Sequence, residues 1–380
     1  MTSLDDKSLA ILQAAAVGDA IGGATEGRSH AEIMKRYSGP VTGIVEYFMP
    51  DWRTAKPMSP YHKGDGHVTD DTLMTNLLVK VYDKVRRHLS AYDMADHLVP
   101  LMMGELTWIP ELERETVPVL RVFLAEKWLV TRLYYGHNDP REAGVGNIVN
   151  CGAAMYMAPV GIANAANPDA AYAEAIEIAG AHQLSYGREA AAVFAAAVAS
   201  SMRPGASVTS VIDDCLRLAK DGTRDAIESV TEAAAHWQDW LPAIPALRDA
   251  IRPFDTVGED YRVPAQDSRR PSRLKAIEEL PVALGMALVA DGRVDDAILG
   301  ATNYGRDSDS IATMGGAICA GITGTAGVRR DWVEQVGAAS RLDMLQPGLT
   351  MASVAREISA SDRSQRARTE AAFDQLAGAE

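Results

Sequence analysis

The chain has 380 residues, 47% apolar and 23% charged, and 51 acidic against 37 basic side chains leave a net charge of −14. A chain this apolar can bury a core, which excludes a disordered protein, and its length suits one large domain or two ordinary ones. The acidic excess argues against broad nucleic-acid binding and against docking on an anionic membrane.

The opening stretch, MTSLDDKSLAILQAAAVGDA, puts Leu9, Leu12, Ala16 and Ala20 on one helical face. Asp5 and Asp6 stand where a secretory leader would be basic, so no signal peptide is expected. Gly18, Gly22, Gly23 and Gly27 weaken a helix interior and suit a turn or the close approach of another segment. Residues 38–67, with Pro40, Pro50, Pro57 and Pro60, read as a long irregular binding loop in which Val41 to Tyr47 alternates weakly as a strand. Met74, Leu77, Leu78, Val81 and Val85 form a clear amphipathic helix closed by Arg86 and Arg87. Helical patterns recur near 91–104, 115–134, 171–181, 187–202, 207–220, 224–239, 274–290, 294–303, 309–324 and 331–341. Pro253, Pro264 and Pro271 mark a second long loop over 252–272. Ile311 to Val328 lacks charge, but its Gly and Thr content and the preceding Asp307 and Asp309 favour a buried helix over a membrane span. The pattern predicts a compact all-α fold: one domain over 1–350, then a polar C-terminal helix or tail over 351–380. Three scattered cysteines (Cys151, Cys215, Cys319) offer no disulfide framework and fit a reducing compartment, so a cytoplasmic protein is expected.

Two acidic clusters carry the chemistry. GDGHVTDDTLM places Thr69, Asp70 and Asp71 at one helix start, and NYGRDSDSIATMGGA places Asp307, Asp309 and Ser310 at another. Either alone is explained by N-capping and the helix dipole. Capping needs one good side chain per helix, however, and these starts carry three or four. If they meet, four carboxylates converge, which is costly unless cations neutralise them. Oxygen ligands suit Mg²⁺ or Mn²⁺, and two such ions about 4 Å apart match that number of carboxylates. A third stretch, VGDAIGGATEG, contributes Asp19, a candidate buried anchor, and Glu26.

The order GDAIGGATEG, GHVTDDTLM, GAAMYMAPVG, GRDSDSIATMGGAICAG, spread over residues of about 8 to 327, resembles the ADP-ribosylglycohydrolase family. The resemblance implies an all-α domain with a binuclear Mg²⁺ or Mn²⁺ site at the bottom of a cleft. It assigns Thr69, Asp70 and Asp71 to the first metal motif and Asp307, Asp309 and Ser310 to the second, which usually reads Gly-Asp-Thr-Asp-Thr. It puts Glu26 where the family carries a glutamate that can contact the nucleophilic water, and it makes Asp19 supporting structure. The second and middle motifs depart from the pattern, and in the second Ser308 and Ser310 stand where the family has threonine, serine still offering an oxygen ligand. Arg306 replaces a glycine and is expected to contact a substrate anion or a ligating carboxylate, or else to form a local salt bridge. The middle motif reads Asn150-Cys151-Gly152-Ala153-Ala154-Met155-Tyr156 where relatives have Gly-Asn-Gly and then Ala-Met-Arg. Gly152 can bring backbone N–H groups to a ligand, and Tyr156 alters the pocket wall. The expected substrate contacts are therefore Gly152, Ala153, Met155, Tyr156, Arg306 and His67. Cys151 reads as a small buried residue, and His182 as a packing or hydrogen-bonding one.

Ribosyl transfer to water passes through an oxocarbenium-like state, for which a carboxylate base and metal-held ribose hydroxyls are suited. Glu26 is the first candidate base and Asp71 the second. The expected substrate is an ADP-ribosylated protein or a small riboside, with no nucleic acid or membrane partner and with the oligomeric state open. A non-catalytic binding protein and a two-metal phosphoesterase are the alternatives.

Overall fold

Ser3 accepts a hydrogen bond from the Asp6 amide and starts the first helix, Leu4–Gly22, whose acidic first turn suits the helix dipole. The computed structural model describes residues 3–51, 62–255, 258 and 276–378. Helix accounts for 69% of the described residues, and a hairpin of strands Thr107–Ile109 and Arg114–Thr116 is the one sheet among them. The all-α expectation therefore holds, with one continuous hydrophobic core.

The first helix is buried on nearly every face and runs along the equally buried helix Ser308–Thr323. Two glycines allow that approach. A Cβ on Gly18 would stand 2.4 Å from the Ala312 carbonyl oxygen, and one on Gly22 would stand 2.4 Å from that of Ser308. Lys7 is drawn inside by the carbonyls of Ser201 and Gly321, at 3.0 and 2.7 Å from Nζ. Helices Val294–Tyr304, Gln346–Ala377, Glu279–Val289, Ser185–Ser201 and Asp70–Val85 pack around the pair. No helix among the described residues is long and apolar enough to cross a membrane, and the Ile311 stretch is a core helix.

The structure corrects several local expectations. The helix expected over 115–134 is broken. Pro118 opens a short 3₁₀ turn, an α-helix spans only Leu124–Leu129, and wider π-type turns follow over Val130–Tyr135. Helices His30–Arg36 and Trp240–Ile251 were not expected; the second contains Pro245, which masked its pattern. The weak strand at Val41–Tyr47 reduces to a single bridge, Glu46 to Gly64. The expected boundary at 350/351 falls inside one long helix, Gln346–Ala377. Its first half buries Met351, Val354, Ala355 and Ile358, and everything after Ile358 is exposed. Residues 52–61 and most of the loop expected over 252–272 lie outside the described residues.

Candidate metal centre

The N-terminus of the Asp70 helix is built from two directions. Thr69 is its N-cap, and its Oγ1 accepts a 3.4 Å hydrogen bond from the Asp71 amide. Asp19, fully buried on the first helix, accepts from the Thr69 and Thr72 amides at 3.0 and 3.1 Å and from the Thr72 hydroxyl at 2.5 Å. Asp19 thus anchors the turn that carries Asp70 and Asp71, which is the supporting role expected of it. The Ser308 helix start faces this turn: Thr69 Oγ1 lies 3.4 Å from Asp309 Oδ2. The two acidic helix starts meet, although 236 positions separate Asp71 from Asp307.

The resulting electrostatics are severe. Asp70, Asp71 and Asp309 are all buried. Burial, together with the charges of Asp19, Asp70 and Asp307, holds the Asp71 carboxyl well above the usual carboxylate range. Burial and the charges of Glu26, Asp307 and Asp71 do the same to Asp309. Asp71 Oδ2 is buried with no hydrogen-bond partner. An orphaned buried carboxylate oxygen is expensive, and a divalent cation is the group that satisfies several at once. The donor set of carboxylate and hydroxyl oxygens fits Mg²⁺ or Mn²⁺.

Four residues that sequence reasoning missed complete the centre. His62, from the Pro-rich segment, reaches in and is 1% exposed; its Nε2 lies 2.5 Å from Glu26 Oε2 and 3.4 Å from Asp309 Oδ2. Arg121, also buried, donates to Asp70 Oδ1 at 3.0 Å and pairs with Glu111 at 3.0 Å. Its Nη2 lies 3.1 Å from His62 Nδ1. Arginine only donates, so in the neutral ring Nδ1 accepts and the proton sits on Nε2, facing Glu26 and Asp309; burial opposes charging of this ring, but the Glu26 charge and hydrogen bond raise its pKa overall. Burial and the Asp70 charge push Glu126 up to about 8, and its Oε2 has no hydrogen-bond partner. Glu279 is buried beside Asp307 with its Oε2 in the same condition. In sequence these carry weak signals: a histidine in a loop, charges in a broken helical pattern, and a glutamate that reads as first-turn capping.

Among the expected substrate contacts, the structure redirects several. The Gly152 amide donates to Asn150 Oδ1 at 3.0 Å, so it serves its own turn. Its missing side chain matters more, because a Cβ there would stand 2.3 Å from Glu126 Oε1. Ala153 and Met155 are buried in the core. Tyr156 is fully buried beneath the motif and stacks on His182 with ring centroids 5.8 Å apart. The His182 Nε2–H donates to the Ala125 carbonyl at 3.0 Å, which leaves Nδ1 to accept from the Tyr156 hydroxyl at 3.0 Å. Burial lowers His182 to about 4, so it packs as a neutral ring. His67 turns its Nδ1–H back on the Gly64 carbonyl of its own loop, at 2.6 Å. Arg306 makes the local salt bridge that was one of its two expected roles: Nε pairs with Glu278 at 2.5 Å and Nη2 with Asp255 at 2.9 Å. Its backbone matters as well. Gly27 donates to the Arg306 carbonyl and the Arg306 amide donates to Arg28, each at 2.7 Å, which ties the Glu26 turn to the start of the Ser308 helix. Of the aromatic residues in the Pro-rich segment, Tyr47 is buried, Phe48 lies under the Arg28 guanidinium at 4.2 Å, and Trp52 lies outside the described residues.

The sequence profile of the ADP-ribosylglycohydrolase family matches residues 1–367. No protein of curated function matches the sequence. A solved structure described as an ADP-ribosylglycohydrolase-related protein complex is similar with a TM-score of 0.58. That match covers 93% of this chain and 100% of the other at 18% identity, a likeness of fold.

Proposed function

Since this chain belongs to the ADP-ribosylglycohydrolase family, a hydrolytic family whose members are generally metal-dependent, we propose that it hydrolyses the glycosidic bond of an ADP-ribosyl or ribosyl compound at a centre of two divalent cations. The observation that carries this reading is the meeting of the two acidic helix starts, with Thr69 Oγ1 at 3.4 Å from Asp309 and Asp71 Oδ2 buried and unpartnered. Thr69, Asp70, Asp71, Asp307, Asp309 and Ser310 are the residues to hold Mg²⁺ or Mn²⁺. When bound, such cations neutralise the cluster, polarise ribose hydroxyls and acidify a water.

Glu26 is the base in this reading. Its side chain is 19% exposed against 2% for Asp71 as a residue, so a water reaches Glu26 while Asp71 faces the interior. Glu26 takes the proton of the attacking water at its carboxylate, and the His62 Nε2–H beside it holds that carboxylate in place. The anomeric C–N or C–O bond breaks as the water oxygen adds, and the bonding pair leaves with the aglycone.

A small riboside is favoured over an ADP-ribosylated protein in this reading, which is supported by His62 standing directly against Glu26 and Asp309. Three free buried cysteines support a reducing, cytoplasmic setting, and the acidic surface supports no nucleic-acid partner. The test is incubation with ADP-ribosyl-arginine, ADP-ribosyl-serine and a panel of nucleosides, with Mg²⁺, Mn²⁺ or chelator. Release of ribose or ADP-ribose is expected only with cation, and is lost in Asp71→Asn and Asp309→Asn. Phosphate release in its place overturns the glycosidase reading, and equal turnover in chelator overturns the metal centre.

A further inference from the structure

The oxygen-donor centre has a sulfur at its edge. Cys151 Sγ lies 3.0 Å from Asp307 Oδ2 and 3.4 Å from Ser310 Oγ. One ligand atom each from Cys151, Glu279 and Asp307 falls within 4.8 Å of the other two. That spacing suits a single ion, because metal–oxygen and metal–sulfur bonds of about 2.0–2.3 Å put adjacent ligand atoms roughly 3–4 Å apart. A buried cysteine near a carboxylate is no site by itself. The independent observation is Glu279, which is 5% exposed and whose Oε2 has no hydrogen-bond partner. Its chain neighbour Glu278 has been provided for: Tyr304, Arg306 and Arg248 all bind it.

We propose that Cys151, Glu279 and Asp307 form a mixed sulfur–oxygen position for one of the cations, which selects a borderline-soft divalent ion of the cobalt or zinc class over Mg²⁺ and Mn²⁺. The inference rests on the metal-centre reading above and refines which metal it takes. Mg²⁺ demands an all-oxygen octahedral shell and gains nothing from sulfur, whereas affinity for thiolate rises along the first-row divalent series. Binding replaces the S–H bond with a metal–sulfur bond and releases the thiol proton to buffer. No redox change is involved. The thiol that reads in sequence as a small buried residue is in this account a ligand.

The test uses the full chain stripped of metal by chelator and titrated with Co²⁺ while absorption is recorded. Thiolate-to-cobalt charge transfer gives a near-ultraviolet band that a carboxylate-only site lacks. The band is expected in the wild type and in the control Cys215→Ser, and is expected to vanish in Cys151→Ser. Glu279→Gln is expected to keep the band while Co²⁺ affinity drops about tenfold or more. Calorimetry in two buffers of different ionisation enthalpy is expected to show extra proton release on Co²⁺ binding by the wild type relative to Cys151→Ser. Co²⁺ bound with no such band, or with a band that persists in Cys151→Ser, overturns the sulfur ligand and leaves the oxygen centre standing. Unchanged affinity in Glu279→Gln overturns the three-ligand set. Failure of the wild type to bind Co²⁺ at all overturns the metal centre itself. The wild-type spectrum decides the sulfur question even if a variant fails to fold.

Discussion

At the scale of single residues, the acidic cluster contains a built-in counter-charge. Arg121 is a buried cation held by Asp70, Glu111 and His62, which answers part of the negative cluster from within the protein. Replacing it with Met leaves those partners buried and uncompensated, and a loss of about 3–5 kcal/mol in urea unfolding is expected for the metal-free protein. Glu26 and Asp71 are distinguished by what each substitution removes. Glu26→Gln is expected to cut kcat by roughly 10²–10⁴ with divalent-cation affinity nearly intact, as loss of a general base does. Asp71→Asn is expected to weaken cation binding itself, and calorimetry beside kcat measurements tells the two apart. If Glu26→Gln leaves kcat unchanged, the base is another group.

At the scale of elements, the centre exists because two helices approach to backbone contact. A Cβ on Gly22 would stand 2.6 Å from Asp309 Cα, at the acidic start of the Ser308 helix, while one on Gly18 meets Ala312 a turn further along. Both Gly→Ala changes overpack the interface and are expected to cost about 1–3 kcal/mol or somewhat more. Gly22→Ala alone is expected also to weaken cation binding, because the backbone that must shift is that of Asp309. Equal cation affinity in the two variants would show that the helix start yields without moving its carboxylates. The Arg306 salt bridges and backbone bonds act on the same turn from its other side, setting where the Glu26 segment crosses it.

At the scale of the whole molecule, the long C-terminal helix is tied down near its midpoint. His88 Nδ1 lies 2.5 Å from Glu174 Oε2, and its Nε2 lies 3.2 Å from Asp362 on that helix. The hydrogen bond to Glu174 leads in raising His88 to about 9 from its ordinary 6.5. The folded value is the higher one, so this contact stabilises fully below about pH 6.5 and is lost as pH rises through about 9. His88→Gln is expected to flatten that decline in urea midpoints measured across the window. Beyond this tie the helix buries nothing, and deleting residues 364–380 is expected to change stability by under about 0.5 kcal/mol. Divalent cations at the proposed centre are expected to act on the whole fold by linkage. At a hundred times Kd they are expected to add about 2.7 kcal/mol, which thermal melts with and without chelator read directly.

The sequence by itself determined the all-α class, most helix positions and the two acidic helix starts. Apolar spacing and capping oxygens act over one or two turns, so they can be read locally. His62, Arg121, Glu126 and Glu279 escaped that reading because each owes its role to partners far along the chain, as in His62 against Asp309. Arg306, Tyr156 and Gly152 read as candidate substrate contacts in their motifs, and their burial and their partners within the chain are visible only in the tertiary structure. The convergence itself was decided by tertiary structure. Only the close packing of the first helix on the Ser308 helix, which glycine permits, brings Asp19, Asp71 and Asp307 near enough for their charges to act on one another.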